Sequence, residues 1–280
     1  MTTRRDILQR IAVPLVPLYG EREARSIALL AAAELSGLPE TAFLTDPQAE
    51  IVVDGLDAII EQLTAGRPVQ YVIGTAEFLG RQFVVREGVL IPRPETEELV
   101  TWILSEERQA TSILDVGTGS GCIAATLAME LPHTDVSAAD ISEDALAVAA
   151  ENCRRLGVRV DLRRADALND LTEVFTGPFD VIVSNPPYVP QSDRATMHPN
   201  VRDHEPAEAL FVPDDDPLRF YRVIAQAGRK LLRAGGRLYF EIYHQHADAM
   251  RTLCSEEGYT DIRVREDLFG RPRMLGCRMQ

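Results

Sequence analysis

Five consecutive residues, Ser184-Asn185-Pro186-Pro187-Tyr188, follow the apolar run Phe179 to Val183 and carry the most specific chemistry in the chain. Each proline removes a backbone donor and fixes φ at about −65°, so the turn is rigid and its carbonyls are left to accept hydrogen bonds. Asn185 offers its side-chain oxygen and Pro186 its backbone oxygen to the two hydrogens of a planar NH₂ group. Tyr188 adds an aromatic face or edge beside that plane. The result is a clamp for an amide or amino-heteroaromatic nitrogen, and adenine N6, cytosine N4 and a glutamine side chain all present that geometry. The blander reading, an ordinary strand-terminating turn, is weakened by what lies upstream.

There, Leu114-Asp115-Val116-Gly117-Thr118-Gly119-Ser120-Gly121 leads from a strand into a helix. Its glycines permit positive φ and let backbone N–H groups approach a ligand, and the helix N-terminus favours negative charge. Nucleotide-binding dehydrogenases use a similar turn, so the motif alone is only moderately specific. The next strand ends in Asp140, whose carboxylate can accept both hydroxyls of a ribose. Asp166 follows the third strand, where it can receive an adenine amino group. Either carboxylate alone reads equally well as a helix cap or solvated loop residue. In register at successive strand ends, with the glycine loop, they indicate an adenosine-bearing cofactor.

These residues need a frame that brings strand ends together. Strands are expected at Ser112 to Val116, Val136 to Asp140, Arg159 to Arg163, Phe179 to Ser184 and Arg237 to Ile242, with two more near Asp261 to Arg265 and Arg273 to Arg278. Helices fall between them, at Pro94 to Arg108, Ser120 to Leu131, Glu143 to Leu156, Pro217 to Arg233 and His246 to Glu257. Such alternation specifies a mostly parallel α/β sheet covered on both faces, with ligands at the carboxyl ends of its strands. Before it, Ala24 to Leu35 and Val52 to Leu63 carry helical periodicity, each ended by Gly and Pro. A first segment from Asp6 to Leu18, broken by Pro14 and Pro17, completes a small bundle. Between bundle and sheet, Thr75 to Leu79 and Gln82 to Arg86 read as a hairpin joined by Gly80-Arg81 in a type II′ turn.

Composition narrows the classes. The 280 residues hold 29 Lys+Arg against 43 Asp+Glu, a formal net charge of -14, with 45% hydrophobic and 26% charged residues. That is globular composition, and no run of about 18 apolar residues suggests a membrane span. The carboxylate excess repels polyanions, so neither free nucleic acid nor a membrane is an expected partner. Arg4 and Arg5 before Ile11 to Leu18 superficially suggest a secretory signal. Asp6, Pro14, Pro17 and the lack of a small-x-small site before Glu21 argue against it. Cys122, Cys153, Cys254 and Cys277 lie far apart, which fits a reducing, cytoplasmic setting and neither a zinc site nor a disulfide framework. No metal constellation is present in the sequence.

A glycine loop followed by this clamp resembles the Rossmann-fold S-adenosylmethionine (SAM) methyltransferases that methylate planar nitrogen. Gln70-Tyr71-Val72-Ile73-Gly74, Phe78, Phe83 and the stretch Val89 to Leu99 (Val-Leu-Ile-Pro-Arg-Pro-Glu-Thr-Glu-Glu-Leu) resemble the linker and entry helix of the HemK/PrmC family. That family comprises the protein-(glutamine-N5) methyltransferases acting on peptide chain release factors. The resemblance continues through Asn185 to Tyr188, Val201-Arg202-Asp203-His204-Glu205-Pro206 with Ala209-Leu210, Gly235-Gly236 and Phe240-Glu241-Ile242, and so covers nearly the whole chain. One departure is Tyr243, where the family often has Gly after Glu-Ile, and no cofactor-loop role is carried onto it.

The resemblance implies a Rossmann-like SAM-dependent methyltransferase with a seven-stranded, mostly parallel sheet over residues 91–280. A helical substrate-recognition domain (1–74) and a β-hairpin linker (75–90) would precede it. Gly117, Thr118, Gly119, Ser120 and Gly121 would line the methionine part of SAM, Asp140 the ribose, and Asp166 with Ala167 the adenine. Asn185, Pro186, Pro187 and Tyr188 would hold the substrate glutamine, with Asn185 as the catalytic residue bordering the cofactor as well. S-adenosylhomocysteine would be the product and class 1 release factors the partners. Arg93, Glu95, Thr96 and Glu97 either close the site or form a surface ion-pair and capping cluster. His204 and Glu205 read as an acid/base pair less well than as structural turn residues.

Three other readings compete. A nucleic-acid amino-methyltransferase predicts a basic groove and a target-recognition region, whereas the extra domain here is helical, small and richer in carboxylates than arginines. A ribosomal-protein glutamine methyltransferase shares the clamp, but the helical segment and linker favour the release-factor enzyme. A catalytically silent cofactor-binding module is disfavoured by the intact clamp, and a dehydrogenase by the lack of a hydride-transfer site.

Overall fold

A computed structural model describes residues 2–280. The backbone divides into two compact units. One runs as far as Thr75 and includes His198–His204, and the other comprises Ala76–Met197 with Glu205–Gln280.

The first unit is helical. α1 (Arg4–Ser36) begins at a capping box, Thr3 accepting from the Asp6 N–H while the Asp6 carboxylate accepts from Thr3. Contrary to expectation, Pro14 and Pro17 do not break it. Both are exposed, as are Arg10 and Val13, whose carbonyls lose their helical donors, and the interruption comes instead at Gly20 (φ 75°, ψ 167°). α2 (Glu40–Thr45), α3 (Leu56–Thr64) and α4 (Val69–Ile73) follow. Ile7, Ile11, Leu15, Ala28, Phe43 and Leu63 are buried in a core of their own.

The hairpin of β1 (Thr75–Phe78) and β2 (Arg81–Val84) follows, all but its first residue belonging to the second unit. Its turn is not the expected Gly80-Arg81. Leu79 (φ 47°) and Gly80 (φ 72°) are the central residues, both with positive φ as a type I′ turn requires. Leu79 is held there by donating its N–H to the Glu97 carboxylate at 2.9 Å. Phe78 and Phe83 are fully buried within the second unit's core.

Strand and helix then alternate through α5 (Pro94–Glu106), β3 (Ser112–Val116), α6 (Cys122–Glu130), β4 (Asp135–Asp140), α7 (Glu143–Leu156), β5 (Asp161–Arg164) and β6 (Phe179–Ser184). The short β7 (Val189–Pro190) pairs with β8 (Phe211–Val212). Between them lie α8 (Pro199–His204), which belongs to the first unit, and α9 (Ala207–Leu210). The chain ends with α10 (Arg219–Leu231), β9 (Leu232–Glu241), α11 (Ala247–Glu256), β10 (Thr260–Glu266) and β11 (Pro272–Arg278).

Seven strands form one sheet in the order β10-β11-β9-β6-β3-β4-β5, in which only β11 runs against the rest. Every residue of the central strand β6 is buried, as a strand covered on both faces requires. Val181 and Val183 pack with α5 and α6, and Ile182 packs on the opposite face with α10. The order reverses at β3, with β4 and β5 on one side and β6 and β9 on the other. This is the switch point outside which ligands bind. The register aligns the carboxyl ends there, pairing Val116 with both Ala139 and Ser184, and Ser184 with Phe240.

Candidate active site

At this edge the chain leaves β3 through three glycines in left-handed conformation, Gly117 (φ 77°), Gly119 (φ 56°) and Gly121 (φ 78°). At Gly121 a Cβ would stand 2.9 Å from that of Ala149, so only glycine lets α6 start this close to α7. Buried Asn152 braces the loop from α7, donating to Ser120 O at 2.9 Å while exchanging hydrogen bonds with the backbone of Val84. Asp140, at the end of β4, accepts from Gly119 N at 2.8 Å and from Ser142 N at 2.9 Å. Burial pushes its carboxyl above the usual range.

A cavity of about 410 Å³ opens beside this loop. Of the residues expected at a cofactor, Gly117, Thr118, Gly119 and Ser120 are on its wall, as are Asp140, Asp166 and Ala167. Asp166 also caps its own turn, accepting from Leu168 N at 2.9 Å, so its two readings coexist. Gly121 is not on the wall and acts through helix packing. Asn185, Pro186 and Pro187 close the cavity on the β6 side, adjacent to the glycine loop.

The donor set fits an adenosyl sulfonium. Backbone N–H groups at the start of α6 suit a carboxylate, and Asp140 keeps lone pairs for a diol. Asp115 is wholly buried beneath the loop and is not on the cavity wall. Its Oδ2 accepts from the Thr118 hydroxyl at 2.6 Å, while Oδ1 has no hydrogen-bond partner among the described residues. Burial, helped by the neighbouring Asp140 charge, lifts this carboxyl to about 7 against the opposing Thr118 bond.

Around the clamp the side chains form a chain of hydrogen bonds that motif reading did not assemble. Asn185 Nδ2 donates to Thr96 Oγ1 at 3.1 Å, and Thr96 donates to Glu241 Oε2 at 2.6 Å. The Tyr188 hydroxyl donates to Glu241 Oε1 at 2.9 Å, and the Glu241 carbonyl accepts from the Tyr221 hydroxyl at 3.0 Å. Tyr188 is therefore turned away from the cavity wall, its ring stacked on Tyr243 with centroids 6.0 Å apart. Burial, reinforced by the Glu241 charge, raises the Tyr188 phenol well above its ordinary value. Glu241 is 1% exposed, and burial raises its carboxyl too.

Of the Arg93-to-Glu97 cluster, Arg93 and Thr96 are both on the cavity wall, Thr96 bonded to Asn185 and Arg93 paired with buried Glu205 at 2.5 Å. Glu205 also accepts from Ile91 N at 3.1 Å, which assigns it to structure and not to acid/base work. Thr96 had a sequence signal in the entry-helix stretch. Glu241 had only its place in Phe240-Glu241-Ile242, because nothing local announces a partner 145 residues away.

Residues 95–201 match the family model for the methyltransferase small domain. The chain is 44% identical over 266 residues to the release factor glutamine methyltransferase of Bacteroides thetaiotaomicron, spanning 93% of this chain and 95% of that one. Likeness to the release factor glutamine methyltransferase of Chlorobaculum tepidum is 41% over 271 residues, covering 92% and 91% of the two chains. Among solved structures, a methyltransferase from Pyrococcus furiosus matches with TM-score 0.54 at 17% identity, over 71% of this chain and 89% of that one. The T. Thermophilus 16S rRNA N2 G1207 methyltransferase in complex with AdoMet and guanosine matches with TM-score 0.51 at 15% identity, over 74% and 50%. The two structural likenesses bear on the fold.

Proposed function

Because the chain belongs to the release factor glutamine methyltransferase family, we infer that it methylates the side-chain amide nitrogen (N5) of a release-factor glutamine, using SAM. We take the acceptor to be the glutamine of the Gly-Gly-Gln motif of class 1 release factors, modified in the cytoplasm. The observation that carries the site assignment is the meeting of the Asn185-Pro186 turn and the glycine loop on one cavity, at the ends of neighbouring strands β6 and β3.

SAM, when bound, supplies an electrophilic methyl group on sulfur and leaves as S-adenosylhomocysteine. The Gly117–Gly121 loop would receive its methionine part, Asp140 the ribose, and Asp166 with Ala167 the adenine. A carboxamide nitrogen is a poor nucleophile because its lone pair is delocalised into the carbonyl. Asn185 Oδ1 and the Pro186 carbonyl, by accepting both N–H bonds, raise electron density on that nitrogen and aim it into the cavity. Holding reactants in near-attack geometry can supply about 7–11 kcal/mol of a barrier. The nitrogen becomes acidic only as its new bond to carbon forms, and it then loses one proton to water. A neutral Asn is therefore adequate.

Mass spectrometry of purified release factor after incubation with the protein and SAM tests this reading. One methyl on the Gly-Gly-Gln glutamine is expected. An unmodified release factor, or methyl appearing instead on a ribosomal protein or nucleic acid, would overturn it.

A further inference from the structure

We propose that Thr96 and Glu241 are positioning residues that fix which way the Asn185 amide faces, and so whether the clamp offers an oxygen or an NH₂ group to the methyl acceptor. The inference rests on the reading of Asn185 as the acceptor clamp.

It follows from counting protons. Thr96 has one hydroxyl proton, and the Glu241 carboxylate lies 2.6 Å away, within the range of about 2.5–2.7 Å for the stronger, charge-assisted O–H···O⁻ bond. That proton is committed to Glu241. The Thr96 oxygen can then only accept, so the atom of Asn185 that faces it at 3.1 Å must be the nitrogen. Oδ1 is left as the outward acceptor. The other Glu241 oxygen is taken by the Tyr188 hydroxyl, which must likewise donate. One carboxylate thus sets both side chains that flank the two prolines.

Glu241 is itself fixed. It ends β9, the strand beside β6, and is buried with its carbonyl held by Tyr221. It is not on the cavity wall, so its influence passes through Thr96 and Tyr188. A carboxylate that only filled space here would be inferior to an apolar side chain of similar volume, because burying its charge carries a desolvation cost. Accepting one hydroxyl at each of its two oxygens is something neither an apolar residue nor a carboxamide, one end of which is an NH₂ donor, can do. In Glu241→Gln one of the two hydroxyls is forced to accept. Where that is Thr96, its proton is freed and the Asn185 amide turns round, and where it is Tyr188, the phenol keeps a bond but its own proton loses its acceptor.

Thr96→Val, Thr96→Ser and Glu241→Gln test this in the full-length protein. Turnover is measured on release factor, SAM affinity by calorimetry, and equilibrium affinity with Gly-Gly-Gln and Gly-Gly-Glu peptides. We expect Thr96→Val and Glu241→Gln to lose at least about tenfold in kcat at saturating substrate, with SAM affinity within about threefold of wild type. Their preference for the Gln peptide over the Glu peptide shrinks several-fold, because the outward acceptor that repels a carboxylate is no longer enforced. Thr96→Ser recovers most of the turnover. A purely structural role would leave the peptide preference unchanged. If Glu241→Gln fails to fold, Thr96→Val, nearly the same in shape, decides alone. Wild-type kcat and peptide preference in Thr96→Val would overturn the inference while the proposed activity stood, whereas a wild-type protein that leaves release factor unmethylated would overturn both.

Discussion

Asn185 is where geometry and chemistry meet most directly. Asn185→Ala removes the outward acceptor and the link to Thr96 together, so kcat is expected to fall by about a hundredfold or more while SAM affinity stays within a few-fold. Asn185→Asp keeps an acceptor oxygen but sets a lone pair against the Thr96 oxygen, and its charge would stabilise a sulfonium ground state over the charge-dispersed transition state. Its rate should lie between those of Ala and wild type. Single-turnover rates equal to wild type in both variants would remove Asn185 from the chemistry. Asp140→Ala should weaken SAM binding by at least about tenfold without unfolding the chain. Besides its proposed ribose contact, the loop amide of Gly119 loses its acceptor. Calorimetry showing unchanged affinity would take Asp140 out of the site. Asp115 supplies a pH dependence. Its folded-state carboxyl titrates near 7 and its ordinary value is 3.8, so between those limits the folded chain holds a proton that the unfolded chain releases. Stability of the ligand-free protein therefore falls as pH rises through that window, by at most about 4 kcal/mol from this group. Asp115→Asn should flatten the fall in melting temperature between pH 5 and 8, and an unchanged slope would show that Asp115 is not its source.

The elements carrying these residues were legible to different degrees. Strands Ser112–Val116 and Phe179–Ser184 and helix Glu143–Leu156 match the sequence reading end for end, because each has one unbroken period bounded by a turn residue or cap. The Pro-based break in α1 failed because proline costs most where its orphaned carbonyl is buried, and burial is not visible one residue at a time. The hairpin turn moved by one residue because Glu97, eighteen positions away, holds the Leu79 N–H. For the same reason the glycine loop was readable as a local motif, while the Asn185-Thr96-Glu241-Tyr188 chain, assembled from α5, β9 and the turn after β6, was not. Asn152 shows how such distant bonds hold elements in place. Its side chain joins β2 and the glycine loop to α7 through three hydrogen bonds. Asn152→Leu, similar in size, would strand the Val84 N–H and carbonyl and the Ser120 carbonyl. A loss of about 1–3 kcal/mol is expected, with weaker SAM binding because the loop is freed. A variant with wild-type melting temperature and affinity would show that the loop holds itself.

For the molecule as a whole, the division into two compact units suggests a division of labour, and we propose that the helical unit docks the release factor while the other performs the transfer. Every residue on the wall of the cavity belongs to the second unit, and the helical unit has its own buried core. A fragment that begins with the second unit should therefore keep the proposed cofactor site, provided the cut is made in the right place. Cutting at about Leu90, where the sheet domain was expected to begin, would remove the hairpin and with it Phe78 and Phe83, both fully buried. Losing aromatic side chains from a core costs about 3–5 kcal/mol each, and two such losses together match what many domains have in total. The fragment Ala76–Gln280 retains both, and of the helical unit it carries only His198–His204. It is expected to bind SAM within a few-fold of the full chain and to methylate a short Gly-Gly-Gln peptide, whose recognition needs only the clamp. With intact release factor at concentrations below KM its kcat/KM should fall at least about tenfold, since docking contacts outside the clamp act on substrate capture and not on the chemical step. Steady-state kinetics with both substrates separates the cases. A loss on peptide and protein alike would mean that the cut damaged the catalytic unit, and equal kcat/KM of fragment and full chain on intact release factor would show that the helical unit is not the docking surface.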